Sequence, residues 1–311
     1  MNNEDRMTYS ILAEELSNIN LDITILNDLS VKEALVMQII DSIRRVKYAI
    51  KIKNKGTIST ATATPNSGCF DPIRAAVVHD RNGNVDEAVW LIFLSIHFGY
   101  SSKCKWKLVE DFYSGIGGSN HWSWSSIISK RGEFEEWLKG FHGQIANLSP
   151  RRKFGNHRKY ESLKETSSRP LTKIIGSYRD LIIAHGDHEG VFNNARSFGQ
   201  GDKYITFDYL YNYFRGVLSF GRTATFDFLC MIGKLGLVDV EPPRAYIQES
   251  TGPKAGARLL FGNAKENASS LEKKLMIMNK SLSIGPYGMQ ILEDAICNWQ
   301  KNPNKYIQFR G

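Results

Sequence analysis

Apolar residues recur at helical spacing through almost the whole chain of 311 residues, and period-two alternation is scarce. That pattern predicts a mainly α fold in which helices bury their faces on one another. Hydrophobic residues make up 42% of the chain, ample for a core in one large domain or two. Leu12, Leu16 and Ile19, then Ala34, Leu35, Ile39 and Ile43, mark helices before residue 55. The stretch GTISTATATPNSG, residues 56–68, is small, polar and without period. It reads as the boundary between an N-terminal helical extension and linker (1–68) and a helical domain (69–311). Asp71-Pro72 opens a helix, HDRNGN makes a turn, and VDEAVWLIFLSIHFG reads as a buried helix. Ala88, Leu91, Ile92, Ser95 and Ile96 share one face of it, with His97 on or near that face as a hydrogen-bonded core histidine. EFEEWLKGFHGQIANL, residues 133–148, is amphipathic with an expected interruption at Gly140 and Gly143.

The segment Tyr204–Ile247 carries the most functional information. Phe207, Leu210, Tyr211 and Phe214 lie at helical spacing, a break with glycine at each end runs from Gly216 to Gly221, and a second apolar segment spans Arg222 to about Lys234. Two helices joined by such a turn direct backbone N–H groups outward, where they hold a phosphate without reading its base. Phe220, Gly221 and Arg222 are the residues placed to do so. Asp239 follows the apolar run and precedes Pro242-Pro243, a pair expected to start a helix. Its carboxylate either caps that helix or points into a cleft, and Glu241 is the second candidate acid.

A net charge of +8, with 40 Lys+Arg against 32 Asp+Glu, suits a polyanionic partner, although many basic proteins of this size bind none. The cations concentrate in SPRRKFGNHRKYESL, where Arg151, Arg152, Lys153, His157, Arg158 and Lys159 alternate with Phe154 and Tyr160. Cations interleaved with aromatics suit sugar-phosphate and stacked bases. Lys254 and Arg258, after the hairpin region, are further phosphate candidates. His121, Trp122 and Trp124 lie in or beside the glycine-rich DFYSGIGGSNHWSW. They either fold back on the core or wall a pocket for a base taken out of its stack. GIGG lacks the lysine and hydroxyl of a phosphate loop. The four cysteines are far apart, which argues against a zinc site, a cluster or a disulfide framework. His185, Asp187, His188 and Glu189 stand in an order unlike that of zinc proteases, so neither a metal nor a cofactor is expected. No apolar run reaches membrane-spanning length, the longest being AVWLIFLSI. A soluble, cytoplasmic protein with no membrane and no obligate protein partner is expected.

Helix, glycine hairpin, helix and then an aspartate resembles the core of helix-hairpin-helix DNA glycosylases, with LSFGRTA, Leu218–Ala224, at the hairpin. Ser219 replaces the first hairpin glycine. Thr223 stands where lyase-active members carry a lysine, so a monofunctional enzyme without Schiff-base chemistry is implied. NVDEAVWLIFLSIHFG, FYSGIGG with the following SW, KFGNHRKYESL and the hairpin together resemble the alpha-glutamyl/putrescinyl-thymine pyrophosphorylase-like family, clade 3, over residues 69–300. Its members are associated with hypermodified phage bases, and one branch includes an anti-phage glycosylase acting on glucosylated hydroxymethylcytosine. The resemblance implies a DNA glycosylase of anti-phage defence that flips a modified base, with alpha-glucosyl-hydroxymethylcytosine as the candidate, out of double-stranded phage DNA and excises it, leaving an abasic site. Asp239 would stabilise the oxocarbenium character of the sugar. Two alternatives stay open: a pyrophosphorylase-type enzyme of thymine hypermodification, and a non-catalytic DNA-binding module.

Overall fold

The computed structural model describes residues 3–118 and 121–308. Among them are fourteen α-helices and no β-strand, as the helical period requires. In chain order they are α1 (Asn3–Asn18), α2 (Leu29–Asn54), α3 (Pro72–Arg81), α4 (Val85–Phe98), α5 (Lys107–Tyr113), α6 (Trp124–Ser129) and α7 (Arg131–Ile145). There follow α8 (Leu171–Ile183), α9 (His188–Gly199), α10 (Lys203–Phe214), α11 (Arg222–Lys234), α12 (Gly252–Leu260), α13 (Ala268–Ser281) and α14 (Gly288–Trp299). Residues up to Ile50 and those from Val240 onward form one compact unit, and Lys51–Asp239 forms the other. Segment 56–68, expected as the boundary, lies inside the second unit. It makes a 3-10 turn at Thr60–Ala63 and is tied down where the Asn66 N–H donates to Glu110 Oε1 (2.9 Å).

In the first unit, polar pairs lock α2 to α14. Asp294 of α14 accepts from Ser42 Oγ (3.0 Å) and Arg45 Nη2 (2.6 Å), and the Trp299 indole N–H donates to the Val31 carbonyl (3.3 Å). Gly256 lets α12 lie backbone against backbone on α14, since a Cβ there would stand 2.4 Å from the Ile296 carbonyl oxygen.

The second unit is built around α4. Asn84 caps its start by accepting from the Glu87 N–H (3.3 Å), and Gly99, at φ +71°, ends it. Every residue from Glu87 to Ser95 is buried, as are His97 and Phe98. A helix apolar on all sides belongs in the middle of a fold, so more than the one expected face is covered. Helices α3, α5, α6, α9 and α11 pack against it. Two local expectations are corrected. Gly140 and Gly143 do not interrupt α7, which runs through both while burying Phe134, Leu138, Phe141 and Ile145; burial of that stripe outweighs about 1 kcal/mol of helix propensity per glycine. No helix starts at Pro242: residues 241–246 are irregular, and the next turn is 3-10, at Ile247–Glu249.

Candidate nucleic-acid interface and active site

Asp202 starts α10 by accepting from the N–H groups of Tyr204 (2.7 Å) and Ile205 (3.0 Å). Phe207, Leu210, Tyr211 and Phe214 are buried along it, as their spacing predicts. The chain then turns through residues 215–221. Val217 and Phe220 are buried at 2% and 1% exposure and anchor the turn, Phe220 packing on Phe93 and Phe228 at 5.1 and 5.8 Å between ring centroids. The Leu218 N–H donates to Ser177 Oγ of α8 (2.9 Å). Ser219 holds the left-handed backbone at φ +62°.

Gly221 is the N-cap of α11. It is exposed, and no side chain caps the helix there. The first N–H groups of an α-helix have no partner within it, and Gly221 has no side chain to supply one. A Cβ on Gly221 would meet Nη1 of Arg215 at 3.9 Å, so a guanidinium lies beside this N-terminus. Arg222 turns inward instead, buried, with its guanidinium 4.7 Å from the centroid of Phe226. Thr223 is exposed. Beyond α11 the chain reverses at Gly236 (φ +70°) and reaches Asp239, which is exposed, at the end of the second unit. With no helix at Pro242, Asp239 is not the cap of one. Glu241, in the first unit, accepts from the Tyr287 N–H (2.8 Å). Lys254, on α12 of that unit, donates to the Gln248 carbonyl (2.5 Å), and with Arg258 it lines a groove of about 680 Å³.

The cationic cluster divides. Arg151, Lys153, His157 and Lys159 are exposed, and the ammonium of Lys159 stands 5.0 Å from the ring of Tyr160, itself 82% exposed. Arg152 and Arg158 turn inward. Arg152 pairs with Asp111, and its side chain is 8% exposed. Arg158 donates from Nε to the His97 carbonyl (3.1 Å) and from Nη2 to the Ser219 carbonyl (3.0 Å). It thereby ties the end of α4 and the basic loop to the hairpin. The approach of the loop depends on two glycines: the Gly155 N–H donates to the Phe98 carbonyl (2.8 Å), and a Cβ on Gly155 would stand 2.8 Å from Gly99 Cα.

Trp122 and Trp124 are core residues, at 3% and 5% exposure. Trp122 packs on Phe134 and Trp137 (5.1 and 5.3 Å), and Trp124 on His188 (4.5 Å). Of the two readings, folding back on the core is the one the structure shows for both indoles; His121 alone of the three is exposed, its ring 6.2 Å from that of Tyr113. Beneath the loop lies Glu87, 3% exposed, which accepts from Tyr113 Oη (2.6 Å) and the Trp124 N–H (2.8 Å). Burial pushes its carboxyl above the usual range, against the pull of those two hydrogen bonds.

Three of the four candidates in HGDHEG, Asp187, His188 and Glu189, have structural tasks. Asp187 caps α9 by accepting from the Gly190 N–H (2.7 Å), and Glu189 pairs with Arg196 (2.7 Å). His188 is fully buried. Its Nδ1 lies 2.5 Å from Asp86 Oδ1 and its Nε2 lies 2.7 Å from Tyr178 Oη. A carboxylate only accepts, so Nδ1 carries the proton; burial holds the imidazole neutral, and Nε2 accepts from the phenol. This Asp86–His188–Tyr178 chain, buried at the imidazole and the phenol but not at Asp86, was not legible in the sequence, since 102 residues separate its first two members.

Fold and site together define an all-helical protein with a glycine-ended hairpin between two helices, an uncapped helix N-terminus, an exposed aspartate after it and a basic loop docked alongside. The chain belongs to the alpha-glutamyl/putrescinyl thymine pyrophosphorylase clade 3 family, whose model matches residues 30–311. The family is named for an enzyme acting on a modified thymine, which places the chain among enzymes connected with hypermodified bases. No curated protein and no solved structure matches it. No helix among the described residues is long and apolar enough to cross a membrane.

Proposed function

We propose that the protein is a monofunctional DNA glycosylase that excises a modified base from phage DNA. The observation that carries the reading is the open N-terminus of α11, with Gly221 exposed, no side chain capping the helix and the Arg215 guanidinium beside it. A helix N-terminus flanked by a cation suits a DNA phosphate. The exposed Arg151, Lys153 and Lys159 add cations on the loop that Arg158 joins to the hairpin. Hydrolysing an N-glycosidic bond builds positive charge on the sugar as the base departs. A fixed carboxylate lowers that barrier because its charge matters most in the transition state. Asp239 is the group assigned to this role and, as base, to the attacking water; water adds at C1′ as the bond to the base breaks, leaving an abasic sugar and the free base. Thr223 on the first turn of α11 offers no amine for a Schiff base.

Purified protein is incubated in EDTA with phage DNA bearing modified cytosine or thymine and with unmodified DNA. Released base is read by mass spectrometry and abasic sites by an aldehyde probe. One modified DNA is expected to yield free base, and Asp239→Asn is expected to lose at least about a hundredfold in rate, as when a single electrostatic group is removed from an active site. Unchanged release from the variant sinks the assignment of Asp239, and no base from any DNA sinks the glycosylase. The family's name favours one other reading, pyrophosphate chemistry on a modified thymine, which metal-dependent release of pyrophosphate would reveal.

A further inference from the structure

Buried polar groups in folded proteins are almost always satisfied, so each exception asks for a reason. Among the described residues three exceptions gather around one guanidinium: His97 Nε2, Ser219 Oγ and Glu161 Oε2 are buried without a hydrogen-bond partner. The residue common to them is Arg158. Its Nη2 lies 3.4 Å from His97 Nδ1, 3.0 Å from the Ser219 carbonyl oxygen and 3.7 Å from Glu161 Oε1. A guanidinium only donates, so Nδ1 of His97 is the acceptor and the ring proton sits on Nε2, the orphan. Ser219 adds strain, because its φ of +62° is a conformation in which a residue with a Cβ is rarely found. Three unsatisfied atoms and a strained residue persist only where surrounding contacts over-determine them. Here those contacts converge on Arg158, whose side chain is 10% exposed and whose ring neighbour Phe220 lies 5.9 Å away in the same turn.

We propose that Arg158 is a positioning residue: it grips the carbonyls of His97 and Ser219 at once and holds the hairpin in the form that presents the α11 N-terminus to a DNA phosphate. Without that grip, Ser219 relaxes out of the left-handed region, its hydroxyl and the His97 ring find water, and the turn ahead of Gly221 loses its shape. The inference rests on the reading of the hairpin as a contact to the DNA backbone. It also separates Arg158 from its neighbours in sequence: Arg151, Lys153 and Lys159 act by touching phosphate, and Arg158 acts through the Ser219 carbonyl.

The test compares the full chain with Arg158→Lys and Arg158→Gln. Arg158→Lys keeps a buried cation and its pairing with Glu161 but cannot span two carbonyls with a rigid fork. Two readouts are taken: hydrogen exchange of peptides covering residues 216–224, and DNA affinity across a series of salt concentrations. In Arg158→Lys, exchange in 216–224 is expected to quicken while α8 and α13 keep their protection. Affinity is expected to fall about tenfold at every salt concentration, the equivalent of one charge-assisted hydrogen bond, with the slope of log K against log salt unchanged. Arg158→Gln, which retains an amide donor for one carbonyl, should lie on the same side of wild type. In Arg158→Gln, which removes the charge, a slope shallower by about 0.9 would mean that Arg158 neutralises a phosphate itself, and overturns the proposal. Unchanged exchange in 216–224 overturns it equally. If wild type binds no DNA, the glycosylase reading fails on its own, and the exchange measurement still decides whether Arg158 holds the hairpin.

Discussion

Gly155→Ala tests how the basic loop reaches the end of α4. Gly155 has φ −62° and ψ 164°, a backbone open to alanine, so the substitution carries no conformational penalty of its own. The penalty is contact. The new Cβ would stand 2.8 Å from Gly99 Cα, Gly99 C and the Tyr100 carbonyl oxygen, all of them backbone atoms without a rotamer to change. Nonbonded carbons settle about 3.5–4.0 Å apart, so loop and helix end must separate by the better part of an ångström. Overpacking of this kind costs about 1–3 kcal/mol. The same displacement stretches the Gly155 N–H bond to the Phe98 carbonyl, 2.8 Å at present, for about 1 kcal/mol more. A loss of about 2–4 kcal/mol is therefore expected in urea unfolding, as a lower midpoint with an unchanged slope. Gly143→Ala is the control: it lies within α7 with nothing inside 4 Å of its Cβ, and it should stabilise by about 0.5–1 kcal/mol. A Gly155→Ala protein within about 0.5 kcal/mol of wild type would refute the reasoning, since that is the spread of neutral surface changes.

Ser219→Gly should stabilise the protein by about 1 kcal/mol: it removes a strained φ and a buried unpaired hydroxyl, against the extra chain entropy of glycine, while the carbonyl that Arg158 holds remains. A destabilised Ser219→Gly protein in urea would show that the hydroxyl has a partner. For pH, burial depresses the imidazole of His188, so the folded protein refuses a proton that the unfolded chain accepts below about 6.5. Stability tied to this group is present above that pH and is lost as pH falls through it toward the depressed folded value, with a slope approaching about 1.4 kcal/mol per pH unit. Urea midpoints at pH 6 and 5 should therefore fall less steeply in His188→Gln than in wild type, and equal slopes would contradict a neutral His188.

Several features were legible because they are local. Helical period predicted the class, and Asp71, read as a helix start with Pro72, caps α3 through a side chain that reaches the N–H groups two and three residues on; the caps at Asn84 and Asp187 emerged only in the structure. The turn at 216–221 could be read from its two glycines. The expected helix at Pro242 failed because proline permits a helix start without driving one, and the segment after it lacks a continuing apolar stripe.

What the sequence by itself determined is thus the all-helical class, the hairpin between α10 and α11, and the aspartate that follows it. Tertiary structure alone decided which side chains of one basic run face solvent. Arg158 and Lys159 are adjacent and chemically alike, yet one is buried against the His97 and Ser219 carbonyls and the other is exposed beside Tyr160. It also decided that Trp122 and Trp124 lie in the core, and that Asp86 meets His188. The physical reason is reach: caps and periodicity act within about four residues along the chain. Burial and partner choice depend instead on segments that come together only when the core closes.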